Sequence, residues 1–355
     1  MKGKRLSLAQ LHQLAVKALR RHNTSEPNAN MVARALVAAE ADGLGGHGLS
    51  RLSSYCAQSA SGKVDGHASP VVTLVADAAI RVDARHGFAY GALALAVEEL
   101  CKLAPKKGIA VAAIAHSHHC GAAGQHVEAL ARQGLVGLMF ANTPRAIAPW
   151  GGRTGVFGTN PIAFAAPRKN KYPLVIDLSL SKVARGKIMV AQQNKESIPG
   201  GWALDSSGQP TVDPEAALSG TMLPMGEAKG AALVLMVEVL SAALTASHFG
   251  FEASSFFSAD GSPPSVGQLL MAIAPSPLSN GHFQTRLEDL IEEILHQENV
   301  RLPGDRRLKL REKAYRNGIR LTEKQYQNME SLCTPQTEGQ VTGKETNSNF
   351  GNQNL

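Results

Sequence analysis

From Gly108 to Ala115 the chain runs through small apolar residues without a break, turns polar over His116–Gly121, and returns to an apolar run from Leu135 to Ala141. A strand covered on both faces reads as a continuous apolar run, whereas a half-exposed one alternates. The stretch up to Gln133 between the two runs has helical spacing, so strand, loop, helix and strand follow in order around a buried sheet. Ile162–Ala166 and Leu174–Leu178 extend that sheet, with Lys169, Asn170 and Lys171 as the hairpin turn between them. Gln268–Ala274 adds a strand, and Pro70–Val82 supplies two short β-rich runs about Asp77.

Helical spacing dominates the flanks. Ser7 caps a helix through Leu8, Leu11, Leu14 and Ala18, and Ser25 with Pro27 opens a second one reaching Asp42. Leu49–Ala60, Tyr90–Leu103 and the amphipathic Phe283–His296 predict three more. Glu227–Ser247 is almost wholly apolar and predicts one long helix crossing the core, too broken by Glu238 and small residues to span a membrane. Beyond Cys333 little remains to bury, which predicts a disordered tail over 334–355 behind one catalytic unit of interwoven lobes over 1–333.

A formal net charge of +7 raises the question of nucleic acid. The basic residues are scattered, dense only at Lys2–Arg5 and Arg301–Lys313, which argues against such a partner and fits a solvated surface or a cleft for anions. Cys56, Cys101, Cys120 and Cys333 form no CxxC pair, so neither a disulfide scaffold nor a zinc ribbon is expected, and the compartment reads as reducing. Gln10, His12 and Gln13 interrupt any apolar stretch near the start. The expectation is a cytoplasmic protein without membrane contact.

Gly43, Gly45 and Gly48 satisfy GxGxxG, yet that phosphate fingerprint requires a preceding strand, and Ala35–Asp42 is helical. The glycines instead end one helix and start another, presenting His47 on a tight turn. If a helix starts near Gly48, His47 and Arg51 stack on one face, where a histidine exchanges a proton near neutral pH and an arginine grips a carboxylate with paired hydrogen bonds. The same residues also suit a surface histidine and a solvated arginine. His116, His118 and His119 lack the carboxylate or cysteine spacing of a metal site, so no metal is expected. His119, Cys120, Gly121, Ala122 and Ala123 instead open a helix whose free N–H groups suit a phosphate. Lys229-Gly230 and Pro303–Arg307, read as a loop after the last amphipathic helix, are two weaker phosphate candidates.

Four strings in order, Gly46-His47-Gly48-Leu49-Ser50-Arg51, Ser117–Ala123, Phe157–Phe164 and Gly226–Gly230, resemble the motifs of the malate/L-lactate dehydrogenase family from about Leu8 to Arg307. Ala184-Arg185-Gly186, Phe249–Gly261 and Leu302–Arg307 look most like its Δ1-piperideine-2-carboxylate/Δ1-pyrroline-2-carboxylate reductases. The resemblance implies an α/β, non-Rossmann fold with a largely antiparallel central sheet flanked by helices. The cofactor-binding sheet would span about 108–275, and the helical segment 1–65 would pack with C-terminal helices. It also implies a homodimer that reduces a small cyclic imino acid with NADPH, NADH remaining possible, or else an NAD(P)-dependent dehydrogenase of malate, lactate or ureidoglycolate, or an inactive nucleotide-binding homologue. Carried over, His47 is the proton donor, Arg51 holds the substrate carboxylate, and Thr159, Arg185 and Gly186 line the substrate. His119–Ala123, Asp177, Leu178, Ser179, Lys229, Gly230, Leu302, Pro303, Gly304, Asp305, Arg306, Arg307 and Leu308 would contact NADPH, with Arg306 and Arg307 on its 2′-phosphate. Two departures stand out. Gly46 replaces a frequent serine, and Lys187 occupies the catalytic position that is acidic in the imine-reducing branch.

Overall fold

In the computed structural model, which describes residues 3–334, Ser7 accepts from Gln10 N and the Gln10 side chain returns to Ser7 N, a reciprocal cap that starts the first helix where the sequence places it. The expected disorder of the tail lies, from residue 335, outside the described residues. In chain order the first lobe comprises β1 (Gly3–Leu6), α1 (Leu8–Arg21), α2 (Glu26–Ala41) and α3 (Leu52–Ala60). There follow β2 (Val71–Ala76), β3 (Ala79–Asp83), α4 (Ala89–Lys107), β4 (Ile109–Ser117), α5 (Ala123–Arg132), β5 (Val136–Ala141), β6 (Ile162–Ala166) and β7 (Leu174–Leu178). A smaller region holds α6 (Arg185–Asn194), β8 (Ala203–Leu204), β9 (Pro210–Thr211), α7 (Pro214–Ser219) and β10 (Thr221–Met222), then α8 (Glu227–Glu238) leads to β11 (Val266–Ile273). The chain closes with α9 (Pro275–Leu278), α10 (Phe283–Leu295), α11 (Asp305–Asn317), β12 (Ile319–Thr322) and α12 (Glu323–Cys333).

The seven-stranded sheet runs β2-β3-β4-β11-β5-β6-β7. Only β3 and β4 pair parallel; the other neighbours are antiparallel, as the resemblance implied. Small residues let helices approach closely: Ala96, Leu100 and Ala104 of α4 and Val127 and Leu130 of α5 bury against Ala110, Ala112, Ile114 and Met139. The opposite face packs Val234 and Val237 of α8 near Phe140, Ile147 and Leu269. A separate core joins Leu11, Leu19, Leu36 and Tyr55 to Leu321, Met329 and Cys333, so the two ends of the described chain share one interior. β1 pairs with β12 in the same lobe.

Two expectations change. The run from Glu227 is not one buried helix: α8 ends at Glu238, a π-helical turn covers Val239–Ala243, and Leu233, Leu235, Met236, Val239 and Leu244 face outward. Pro303–Arg307 is not wholly a loop after the last helix either: Gly304 caps a further helix, α11, that starts at Asp305, whose carboxylate accepts from Leu302 N at 3.0 Å. No described helix is long and apolar enough to cross a membrane.

Candidate active site

Glu40 shapes the turn that carries the first two candidates. Its carboxylate accepts from Leu49 N at 2.9 Å, and a Cβ at Gly48 would lie 2.2 Å from that carboxylate, so a side chain cannot stand there. The chain makes two 3-10 turns, Gly45–His47 and Leu49–Arg51, broken at Gly48 with φ −94° and ψ −142°. The single helical face expected for His47 and Arg51 is therefore absent, because Gly48 leaves helical geometry. The two stay close enough for the Arg51 charge to act on His47, and Arg51 Nε donates to Gly46 O at 2.7 Å. A Cβ at Gly46 would meet nothing within 4 Å, so the missing serine hydroxyl is not a steric demand.

Around this turn the exit of β4 and the helix α3 bring aromatic groups together. His47 and His119 stack with centroids 5.3 Å apart and planes 16° from parallel. The Tyr55 hydroxyl is hydrogen-bonded to His119 Nδ1 at 2.6 Å and lies 3.3 Å from the Tyr90 hydroxyl. His118 Nε2 meets Gln58 Oε1 at 2.9 Å, Phe256 packs on both His118 and His119, and the Arg51 guanidinium lies 4.2 Å from the Phe257 ring centre.

Burial without counter-charge sets the electrostatics. His47 is pushed down to about 4, first by burial and then by the Arg51 charge. His118 falls to about 3 for the same first reason, helped by Lys63 and Arg51, and His119 sits well below its ordinary range. Burial also lowers Arg51 and raises the Tyr55 hydroxyl to about 12. Among the described residues no carboxylate pairs with Arg51, and its NH1 and His47 Nδ1 are buried without a hydrogen-bond partner. A guanidinium so placed is a standing receptor for an anion, beside an imidazole able to accept or return one proton.

The expected cofactor residues gather at the exit of β7. Gly124, at the head of α5, donates its N–H to Asp177 at 2.8 Å. Gly121 has φ +69°, and a Cβ there would lie 2.7 Å from the Tyr90 hydroxyl, so glycine is the residue that suits the approach to α5. Gly304, with φ +90°, brings the head of α11 against Val175 O. Past Asp177, Leu178 and Ser179, Leu180 N donates to Thr159 O at 2.8 Å and Met225 N donates to Leu180 O at 2.8 Å, which brings Thr159 and the segment ahead of Lys229 and Gly230 to one place. Gly230 is required, since a Cβ would fall 1.5 Å from Met225 O.

Arg306 is exposed, whereas Arg307 lies 3.4 Å from Glu128 and 3.8 Å from Asp42 with its Nε unbonded. Arg311 completes the knot, bonding Asp42 at 2.6 and 2.7 Å and Glu128 at 2.6 and 2.9 Å. The unsaturated Arg307, exposed Arg306 and exposed Lys229 are a donor set that fits an anionic dinucleotide. Arg185, Gly186 and Lys187 form the first turn of α6; Lys187 is exposed and Arg185 NH2 donates to Leu218 O at 3.2 Å. Among the described residues no hydrogen bond joins that turn to His47 or Arg51, and no group of three or more His, Cys, Asp or Glu is arranged to hold a metal.

Sequence reasoning missed Tyr55, Tyr90, Gln58, Phe256 and Phe257. Tyr55 stands one helical turn after Arg51 and was within reach of spacing arguments; Phe256 and Phe257 lie in the Phe249–Gly261 stretch that carries the resemblance, which gave them no role.

The chain is similar to known proteins over most of its length. A family model described as malate/L-lactate dehydrogenase matches residues 6–330. The chain is 55% identical over 306 residues to the (2R)-3-sulfolactate dehydrogenase (NADP(+)) of Chromohalobacter salexigens, covering 86% of this chain and 91% of that protein. It is 41% identical over 333 residues to the Δ1-pyrroline-2-carboxylate/Δ1-piperideine-2-carboxylate reductase of Pseudomonas putida, covering 92% and 96%. The crystal structure of Δ1-piperideine-2-carboxylate reductase from Pseudomonas syringae pv. tomato superposes with a TM-score of 0.88 at 39% identity, over 93% of this chain and 99% of that one.

Proposed function

The chain belongs to the malate/L-lactate dehydrogenase family, and we propose that it interconverts a 2-oxo acid and a 2-hydroxy acid using NADPH, its substrate carrying a second anionic group as 3-sulfolactate does. The observation that carries the class is the buried, unpaired Arg51 beside neutral His47. Two features favour the doubly anionic substrate: the 55% identity to a sulfolactate dehydrogenase, and Lys187 in place of an acidic residue in the first turn of α6. A carboxylate there would suit an iminium cation; an ammonium suits a sulfonate or second carboxylate.

The overall reaction is 2-oxo acid plus NADPH plus a proton giving 2-hydroxy acid plus NADP(+). When bound, the nicotinamide supplies or takes the hydride. Arg51 holds the substrate carboxylate, Thr159 and the Arg185-Gly186 turn border the substrate, and His47 passes the proton at the substrate oxygen. The carboxylate on Arg51 offsets the Arg51 charge, the smaller of the two causes that hold His47 low, while burial, the larger, remains. Cys120–Ala123, Asp177–Ser179, Lys229 and Gly230 border the dinucleotide, and Arg306 with Arg307 faces its 2′-phosphate. The exposed apolar residues of α8 and the π turn support a homodimer through that face; light scattering of the protein and of a Leu235→Glu/Val239→Glu variant tests it, a monomeric wild type refuting it.

Reduction of a cyclic imino acid is the second reading, supported by the 41% and 39% relatives. Purified protein with NADPH and, in turn, 3-sulfopyruvate, oxaloacetate, pyruvate and Δ1-piperideine-2-carboxylate decides between them by loss of the reduced-nicotinamide absorbance. The proposal expects 3-sulfopyruvate to give the highest kcat/KM, with turnover falling about 100-fold or more in His47→Ala. A higher kcat/KM for the cyclic imine than for every 2-oxo acid overturns it in favour of the second reading.

A further inference from the structure

Glu238 is the last residue of α8, where the regular helix gives way to the π turn, and only 3% of it is exposed. Among the described residues it makes no ion pair. Burying a carboxylate without a counter-ion is costly unless several N–H groups surround it. Here three do: Gly250 N at 2.7 Å and Asn142 Nδ2 at 3.3 Å on Oε1, and Asn160 Nδ2 at 2.7 Å on Oε2. A leucine or methionine there would leave Gly250 N without its acceptor and take one from each of the two asparagine amides, so the carboxylate is the centre these segments are built around.

The donors sit at the two ends of the β5–β6 connection and on the segment after the π turn. Asn142 leaves β5, Asn160 enters β6, and Gly250 follows the π turn. Around this hub Thr159 N donates to Thr143 Oγ1 at 2.9 Å, Arg145 N donates to Gly250 O at 2.8 Å, and Leu180 N donates to Thr159 O. Asn160 is held at φ +40°, a left-handed conformation that persists only where surrounding contacts over-determine it. Gly158 admits no side chain, a Cβ lying 2.2 Å from Thr143 O.

We propose that Glu238 is a positioning residue: its buried carboxylate fixes the Gly158-Thr159-Asn160 turn against the Asn142 and Gly250 loops, and so sets where Thr159 meets the substrate. The inference rests on the reading of Thr159 as a substrate residue. Because Glu238 also ends the helix that begins near Lys229 and Gly230, the substrate turn is tied to the rigid element bordering the cofactor.

Glu238→Gln keeps shape and removes one acceptor, so its amide N–H either faces Asn160 Nδ2 or turns the Asn160 amide away from Val234 O, to which Nδ2 also donates at 3.0 Å; Asn160→Asp places two carboxylates at the 2.7 Å contact and loses the bond to Val234; the double variant restores a donor–acceptor pair at the first of these. Steady-state kinetics, NADPH titration by fluorescence, and thermal melting are measured on all three. The expected results are a substrate KM raised about tenfold in Glu238→Gln with NADPH affinity within about a factor of two of wild type. Asn160→Asp should lose more than about tenfold in kcat/KM, and Glu238→Gln/Asn160→Asp should regain most of that loss. An unchanged substrate KM in Glu238→Gln, an equal loss of NADPH affinity, or a double variant no better than Asn160→Asp overturns the inference. Wild-type protein inert toward every 2-oxo and imino acid overturns the functional reading and this inference together, whereas an active wild type with an indifferent Glu238→Gln overturns the inference alone.

Discussion

Arg51 and Arg311 are arginines held against the first lobe, largely out of water, and they are set up in opposite ways. Arg311 meets two carboxylates through four hydrogen bonds, with its side chain 13% exposed, and those partners raise its pKa. Arg51 meets a ring face and a carbonyl, keeps NH1 unbonded, and is lowered by burial. A satisfied buried cation holds structure together; an unsatisfied one stores affinity for something that arrives later. The sequence suggests the reverse emphasis, since Arg311 lies in the basic run Arg301–Lys313, read as surface or phosphate-binding.

The contrast breaks if both arginines respond alike. Arg311→Met leaves Asp42 and Glu128 buried without their main partner and should destabilise the fold by about 3–5 kcal/mol, read by denaturant unfolding. Retained stability would mean Arg307 takes over the knot. Arg51→Met should lower kcat/KM about 100-fold through KM, with a melting temperature equal to or above wild type, because an unpaired buried charge is removed. A lowered melting temperature would make Arg51 structural.

Acid sharpens the same contrast. His47 at about 4 and His118 at about 3 both lie below their ordinary value of 6.5, so the unfolded chain binds more protons as pH falls below that value. Their contribution to stability is complete above pH 6.5 and is lost as pH drops toward 4 and then 3. Melting curves stepped downward from neutral pH should show this loss, and His118→Gln should shrink it. Smallest is Arg306→Ala: with Arg306 at the 2′-phosphate as proposed, KM for NADPH should rise about fivefold while KM for NADH stays level.

Much of the sheet was legible because fully covered strands leave continuous small apolar runs, and Ile162–Ala166 and Leu174–Leu178 match their observed limits. β1 and β12 left no such trace; short, charged and half-exposed, they exist because they pair with each other. α11 was hidden by its charges, with only Ala314 buried. α8 misled in the other direction, since apolar composition reports that a face leaves water but not what covers it. At the site, His47, Arg51 and His119 followed from motifs, whereas Glu238 registered only as a break in an apolar helix. Its meaning depends on the β5–β6 connection and the segment at Gly250, which sequence spacing does not join to it.

The knot at Arg311 also fixes when a newly made chain can become complete. Asp42 and Arg311 are 269 residues apart, so at ~5–20 residues per second the ribosome needs about 15–50 s between adding one and the other. Throughout that interval α2 and the turn after it wait with Asp42 unanswered, and β1 has no strand to pair with until β12 is made. The helix that leads into the His47 turn is thus synthesised well before the arginine that answers Asp42.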